Sequence, residues 1–127
     1  MNEHTLETGE FHQVFTNIIN KFDDNTFVIE LLSIFVIDGP VAADRLVAAI
    51  MLSDAVAIRN SLHSLKNILG TLQSEALFLL AERASEAFRN DNQVQMQADA
   101  AELISGTRRL VLAADIVLGN LKKAVTQ

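Results

Sequence analysis

A single proline, Pro40, and five glycines are the only strong chain breakers among 127 residues, and this scarcity limits the fold more than any other feature. A many-stranded β domain needs frequent turns, and turns draw heavily on Gly and Pro. Half of the residues are hydrophobic, so a packed core is expected, and the length suits one domain with one core. The expectation is an all-helical fold.

Hydrophobic spacing places the helices. Phe11, Val14, Phe15, Ile18, Ile19 and Phe22 share one face of a short first helix. Asp23, Asp24 and Asn25 offer turn and N-cap chemistry before a second helix over about 26–51. Gly39-Pro40 predicts a kink or local break near Asp38, because proline removes a backbone bond and clashes with the preceding turn. Ser53 is the expected N-cap of a third helix over about 54–72, and Ser74 with Glu75 begins a fourth that ends near 89–92. A last helix over about 93–123 carries Ala100, Leu103, Leu110, Ala114, Val117 and Leu121 near a heptad rhythm. Gly106 weakens it by about 1 kcal/mol relative to alanine. Short connections between four long helices predict an antiparallel up-down-up-down four-helix bundle with a short additional N-terminal helix. A single domain over 1–127 is expected, with residues 1–8 flexible.

Charge and composition exclude several functions. The net charge is −6, the only basic clusters are the pairs Arg108-Arg109 and Lys122-Lys123, and there is no Trp or Tyr. A nucleic-acid binder would show a basic stripe and stacking aromatics, so no nucleic-acid partner is expected. The absence of cysteine removes disulfides and thiolate chemistry. The apolar run Phe27 to Ile37 is interrupted by Glu30 and Ser33, and a span needs roughly 20 apolar residues, so it reads as a buried helix with no membrane role. The acidic start "MNEHTLETGE" is unlike a signal peptide. A cytoplasmic location is the expectation, and so is a monomer, since no second apolar stripe stands out.

One histidine carries the chemistry. On the third helix Ile58, Leu62, Leu65, Leu69 and Leu72 are spaced four, three, four and three, which makes them the core stripe. His63 is rotated from it by about 100° and should be exposed, beside Arg59, Asn60, Lys66, Asn67, Gly70 and Gln73. From Ala55 to Ser74 there is no Asp or Glu. A metal-binding histidine needs further ligands nearby, and a triad base needs an orienting carboxylate and a nucleophile. Two cations and two amides one turn away suit an anion instead, above all one attached covalently to the ring. Lys66 could reach a phosphoryl group on His63. His4 and His12 sit with Glu7 and Glu10 near the N-terminus and read as solvated surface.

"LHSLKNILGTLQSEAL" resembles the signature of histidine-containing phosphotransfer (HPt) domains. That signature reads approximately Ala-His-x-Leu-Lys-Gly, with a small residue seven positions after the histidine and an apolar one fourteen after. His63, Leu65, Lys66, Gly70 and Leu77 occupy the matching places, and the helix leading into the motif also looks like the family's. The departures are Leu62 for the frequent alanine, Asn67 for the usual glycine, Gln73 for a second glycine, and Ala84-Ser85 for a typical Leu-Glu.

The resemblance implies a phosphorelay intermediate of two-component signalling. A receiver-domain phosphoaspartate would pass its phosphoryl group to Nε2 of His63, Lys66 would offset the charge, and a second receiver would collect it. Arg59, Ser64, Asn67, Gly70 and Gln73 are the candidate rim for receivers of response regulators or hybrid sensor kinases. No cofactor is expected on this chain, magnesium belonging to the receiver, and no turnover is expected from what is a phosphocarrier. Two rivals differ in class. A non-catalytic helical interaction module would bind a receiver or regulator without carrying phosphate, whereas a histidine-dependent hydrolase lacks the nucleophile or carboxylates it needs.

Overall fold

The computed structural model describes residues 9–126. The segment 1–8, expected to be flexible, lies outside them together with His4 and Glu7. A 3-10 turn at Gly9–Phe11 leads into α1 (His12–Lys21), followed by α2 (Asn25–Met51), α3 (Ala55–Thr71), α4 (Glu75–Arg89) and α5 (Gln93–Thr126). The described residues are all-helical, as composition required.

The helix ends follow from a few side chains and one repeated backbone device. Asp24 caps α2, its Oδ1 accepting from the Thr26 N–H at 2.9 Å. Asp54, not Ser53, caps α3, its Oδ1 accepting from the Ala57 N–H at 3.1 Å. Ser53 is unavailable because it closes the preceding helix in the left-handed region, at φ 52°. Ser74 holds the N-cap position of α4 as expected, but without a side-chain cap bond. The links α2–α3, α3–α4 and α4–α5 each have three residues, and the middle one is left-handed: Ser53, Gln73 and Asp91 at φ 52°, 60° and 58°. In each link the middle N–H returns to the carbonyl three residues back and the next N–H to the carbonyl five back, as in Asp54 to Ala49, Ser74 to Leu69 and Asn92 to Ala87. This is the Schellman closure. The last residue of each link also accepts the first backbone bond of the next helix, from Ile58, Phe78 and Met96.

α2 runs unbroken through Pro40, so the break expected near Asp38 is absent. One missing backbone bond is outweighed by a continuous buried stripe on both sides of it, from Val28, Leu32 and Phe35 to Ala42, Leu46 and Ala49. Gly39 serves packing here. A Cβ there would lie 2.9 Å from both Phe35 Cε1 and Val111 Cγ2, so its absence lets α5 approach. Gly106 does the same for α4, since a Cβ would collide with Leu77.

α2 packs against α3 and α5, and α4 packs against the same two, so the four long helices touch in a ring. One core cluster joins Leu32, Leu46, Leu62, Leu65, Leu103 and Leu110 to Phe11, Phe15 and Ile18 beneath α1. The buried stripe of α4 is narrow, with Ala81, Ala84 and Ala87. Asp44 of α2 pairs with Arg108 of α5 at 3.0 Å. Arg109 forks onto Glu10, Nε and Nη2 each donating to a carboxylate oxygen at 2.9 Å.

By length and composition α2 could cross a membrane, a property shared by core helices of soluble proteins. Its inner stripe is buried in this fold. Its outer face is a finding the sequence reading passed over: Phe27, Ile34, Ile37, Val41 and Met51 are exposed.

Candidate functional site

The stripe Ile58, Leu62, Leu65 and Leu69 is buried, and that fixes the rotation of α3. His63 is exposed as expected. It borders a depression of about 120 Å³ between α3 and α4, where α3 supplies Arg59, Leu62, His63 and Lys66 and α4 supplies Ser85, Phe88 and Arg89. Three of these side chains are cations and none is a carboxylate. The charge suits an anion close to the imidazole.

Arg89, Ser85 and Phe88 were missed in the sequence reading. They lie at i, i+3 and i+4 on α4, beside its alanine stripe, so their shared face was legible. Which residues of α3 they would meet was not, because that depends on the register between two helices.

Asn67 lies one turn after His63, with Nδ2 3.3 Å from the ring Nε2. An amide N–H only donates, so a bond of this kind pairs with the ring tautomer that carries its proton on Nδ1. The bond is long and exposed, so it orients the ring more than it holds it. Lys66 is half-buried beside the depression.

The remaining rim residues separate from this cluster. Gly70 and Gln73 line a second, apolar depression of about 260 Å³ with Leu69, Ser74, Glu75 and Phe78. Gly70 lies about 10 Å along the helix from His63, and a Cβ on it would meet Phe78 Cε2 at an ordinary 3.4 Å. Gln73 occupies the left-handed position of the α3–α4 link, which explains why glycine would suit that site. Ser64 is exposed and lines neither depression. Thus Arg59, His63 and Lys66 share one site, Asn67 touches it through the ring, and Gly70 and Gln73 form another.

Other features offer less chemistry. A larger groove of about 750 Å³ between α4 and α5 mixes Arg83 and Arg109 with Glu102 and holds no histidine. Asp99 is buried, accepts from Gln95 Nε2 at 2.9 Å and pairs with Arg83 at 3.3 Å, which makes it part of the α4–α5 joint. Among the described residues no three His, Cys, Asp or Glu side chains gather as a metal site. Comparison with known proteins gave no match: no family model fits the chain, and no curated protein or solved structure aligns with it significantly.

Proposed function

We propose that the protein is a phosphorelay intermediate, a cytoplasmic phosphocarrier that accepts a phosphoryl group on His63 from a receiver-domain phosphoaspartate and passes it to another receiver. The observation that carries this reading is the exposed imidazole beside Arg59, Lys66 and Arg89 with no carboxylate lining the depression. The family-like spacing of His63, Leu65, Lys66, Gly70 and Leu77 supports it. The same reading takes the four long helices as an antiparallel up-down-up-down bundle. The contacts Gly39–Val111 and Asp44–Arg108 agree with it, advancing in opposite directions along α2 and α5.

In this reading the Nε2 lone pair attacks phosphorus in line. The N–P bond forms as the P–O bond to the aspartate breaks, and the aspartate leaves as a carboxylate. The ring proton on Nδ1 stays in place during the attack and is available to solvent afterwards. Magnesium and the acid–base groups are the receiver's. Arg59, Lys66 and Arg89 offset charge on the phosphoryl oxygens, and the apolar depression at Gly70, Gln73 and Phe78 receives part of the docking surface.

A second reading draws on Asn67, whose amide occupies the nitrogen that must attack. It makes the protein a non-catalytic module that binds a receiver or regulator without accepting phosphate. The two part on one experiment: a receiver charged with acetyl phosphate is mixed with wild type and with His63→Gln. Acid-labile, base-stable label on the wild type alone is the expected result. Absence of label from the wild type across a panel of receivers that nevertheless bind it would favour the module.

A further inference from the structure

Most cations of this chain have a partner. Among the described residues Arg83, Arg108 and Arg109 pair with carboxylates, Lys21 lies over the Phe22 ring, and Lys122 and Lys123 have partners as well. Arg45, Arg59, Lys66 and Arg89 remain, and three of these four line the depression beside His63. The chain has sixteen Asp and Glu residues, yet none lines it. Like charges gathered from two helices repel one another, and a recess of one sign focuses its field on the counter-ion that enters.

We infer that in the unphosphorylated protein this depression binds free inorganic phosphate, which competes there with the phosphoryl group of an incoming receiver. The binding rests on the depression alone, and the competition rests also on the relay reading. Size decides the ligand class. Sites for drug-sized molecules run to about 300–1,000 Å³, whereas this one measures about 120 Å³, which excludes a nucleotide and suits a single phosphate group. Charge decides between anions. A carboxylate brings one charge and two oxygens in a plane, whereas the phosphate dianion spreads its charge over a tetrahedron of oxygens and can meet donors from α3 and α4 together. Ser85, half-buried in the lining, adds a hydroxyl donor. Arg59 and Arg89 are exposed and the chain as a whole carries a charge of −6, so the expected dissociation constant is roughly millimolar.

The test is a titration of the full chain with inorganic phosphate in mildly alkaline buffer, followed by the backbone amide and His63 ring signals in NMR, with sodium chloride at matched ionic strength as the blank. Phosphate should give saturable shifts centred on 59–66 and 85–89, and chloride should not. Arg59→Gln and Arg89→Gln, both at exposed positions, should each weaken binding roughly fivefold while the remaining amide signals stay in place. Arg45→Gln, on α2 and outside the lining, should leave binding unchanged. Shifts that chloride reproduces, no saturation by several tens of millimolar, or a loss in Arg45→Gln as large as in Arg89→Gln overturn the inference. Competition is read with a charged receiver freed of acetyl phosphate: the initial rate of label transfer should fall with added phosphate, at the midpoint of the titration, and a rate that phosphate lowers no more than chloride overturns it. Failure of the relay reading shows as no label with the titration intact, and failure of the present inference as label without a titration.

Discussion

At Nε2 of His63 a single neighbour decides which lone pair is available. Asn67 Nδ2 lies 3.3 Å from it, and an amide N–H there favours the Nδ1–H ring, so removing that amide in Asn67→Ala should shift the ring toward the Nε2–H tautomer. Two-bond 15N–1H correlation of the imidazole reads this directly, and an unchanged tautomer would show that the amide does not select it. Gln73 offers a second residue-level test. Its left-handed φ of 60° costs an L side chain about 1 kcal/mol that glycine avoids. Gln73→Gly should therefore raise the urea midpoint at an unchanged slope, equivalent to a stabilisation of about 0.5–1 kcal/mol. The exposure of His63 was legible because one stripe fixes a helix's rotation. The left-handed residues were not, because Ser53, Gln73 and Asp91 carry none of the glycine signal that normally marks such a turn.

Along the helices, the lesson lies in what glycine does at different interfaces. Gly39 is closed in by Phe35 and Val111, each 2.9 Å from an added Cβ, whereas Gly70 meets only Phe78 at 3.4 Å. Gly39→Ala should lose about 1–3 kcal/mol to overpacking, more than the roughly 1 kcal/mol that helix propensity returns. Gly70→Ala should keep the propensity gain and melt at the same or a higher temperature. Equal and opposite signs to these in thermal unfolding would mean that α5 does not rest on α2 at Gly39. The sequence presents Gly39-Pro40 as a break, and by local propensity it is one. The helix nonetheless continues through it, and the stripe from Val28 to Ala49 is buried on both sides of Pro40. Arg89 shows the complementary limit: its own face on α4 was readable, but its neighbourhood with His63 arises only when α3 and α4 are laid side by side.

In the whole molecule, the fork between Glu10 and Arg109 fastens the N-terminal turn to α5 across 99 residues of sequence. The hydrogen bonds from Arg109, with its charge, hold the Glu10 carboxyl below its ordinary value against a smaller opposing effect of burial. The pair's stability is therefore complete above a pH of about 4.5 and is lost as the pH falls through the lowered value. Both side chains are half exposed, 52% and 50%, so the contribution is below about 1 kcal/mol. Urea unfolding of wild type and Glu10→Gln should differ by that amount at neutral pH and converge in acid; a constant difference would assign the effect to packing.

The three doubly bonded links between α2 and α5 have a mechanical consequence. Each link ties the end of one long helix to the start of the next through fixed backbone bonds, which restrains hinge motion beneath His63. If the proposed relay holds, little backbone entropy would be spent when a receiver docks, and recognition at this face would amount to reading a preformed shape.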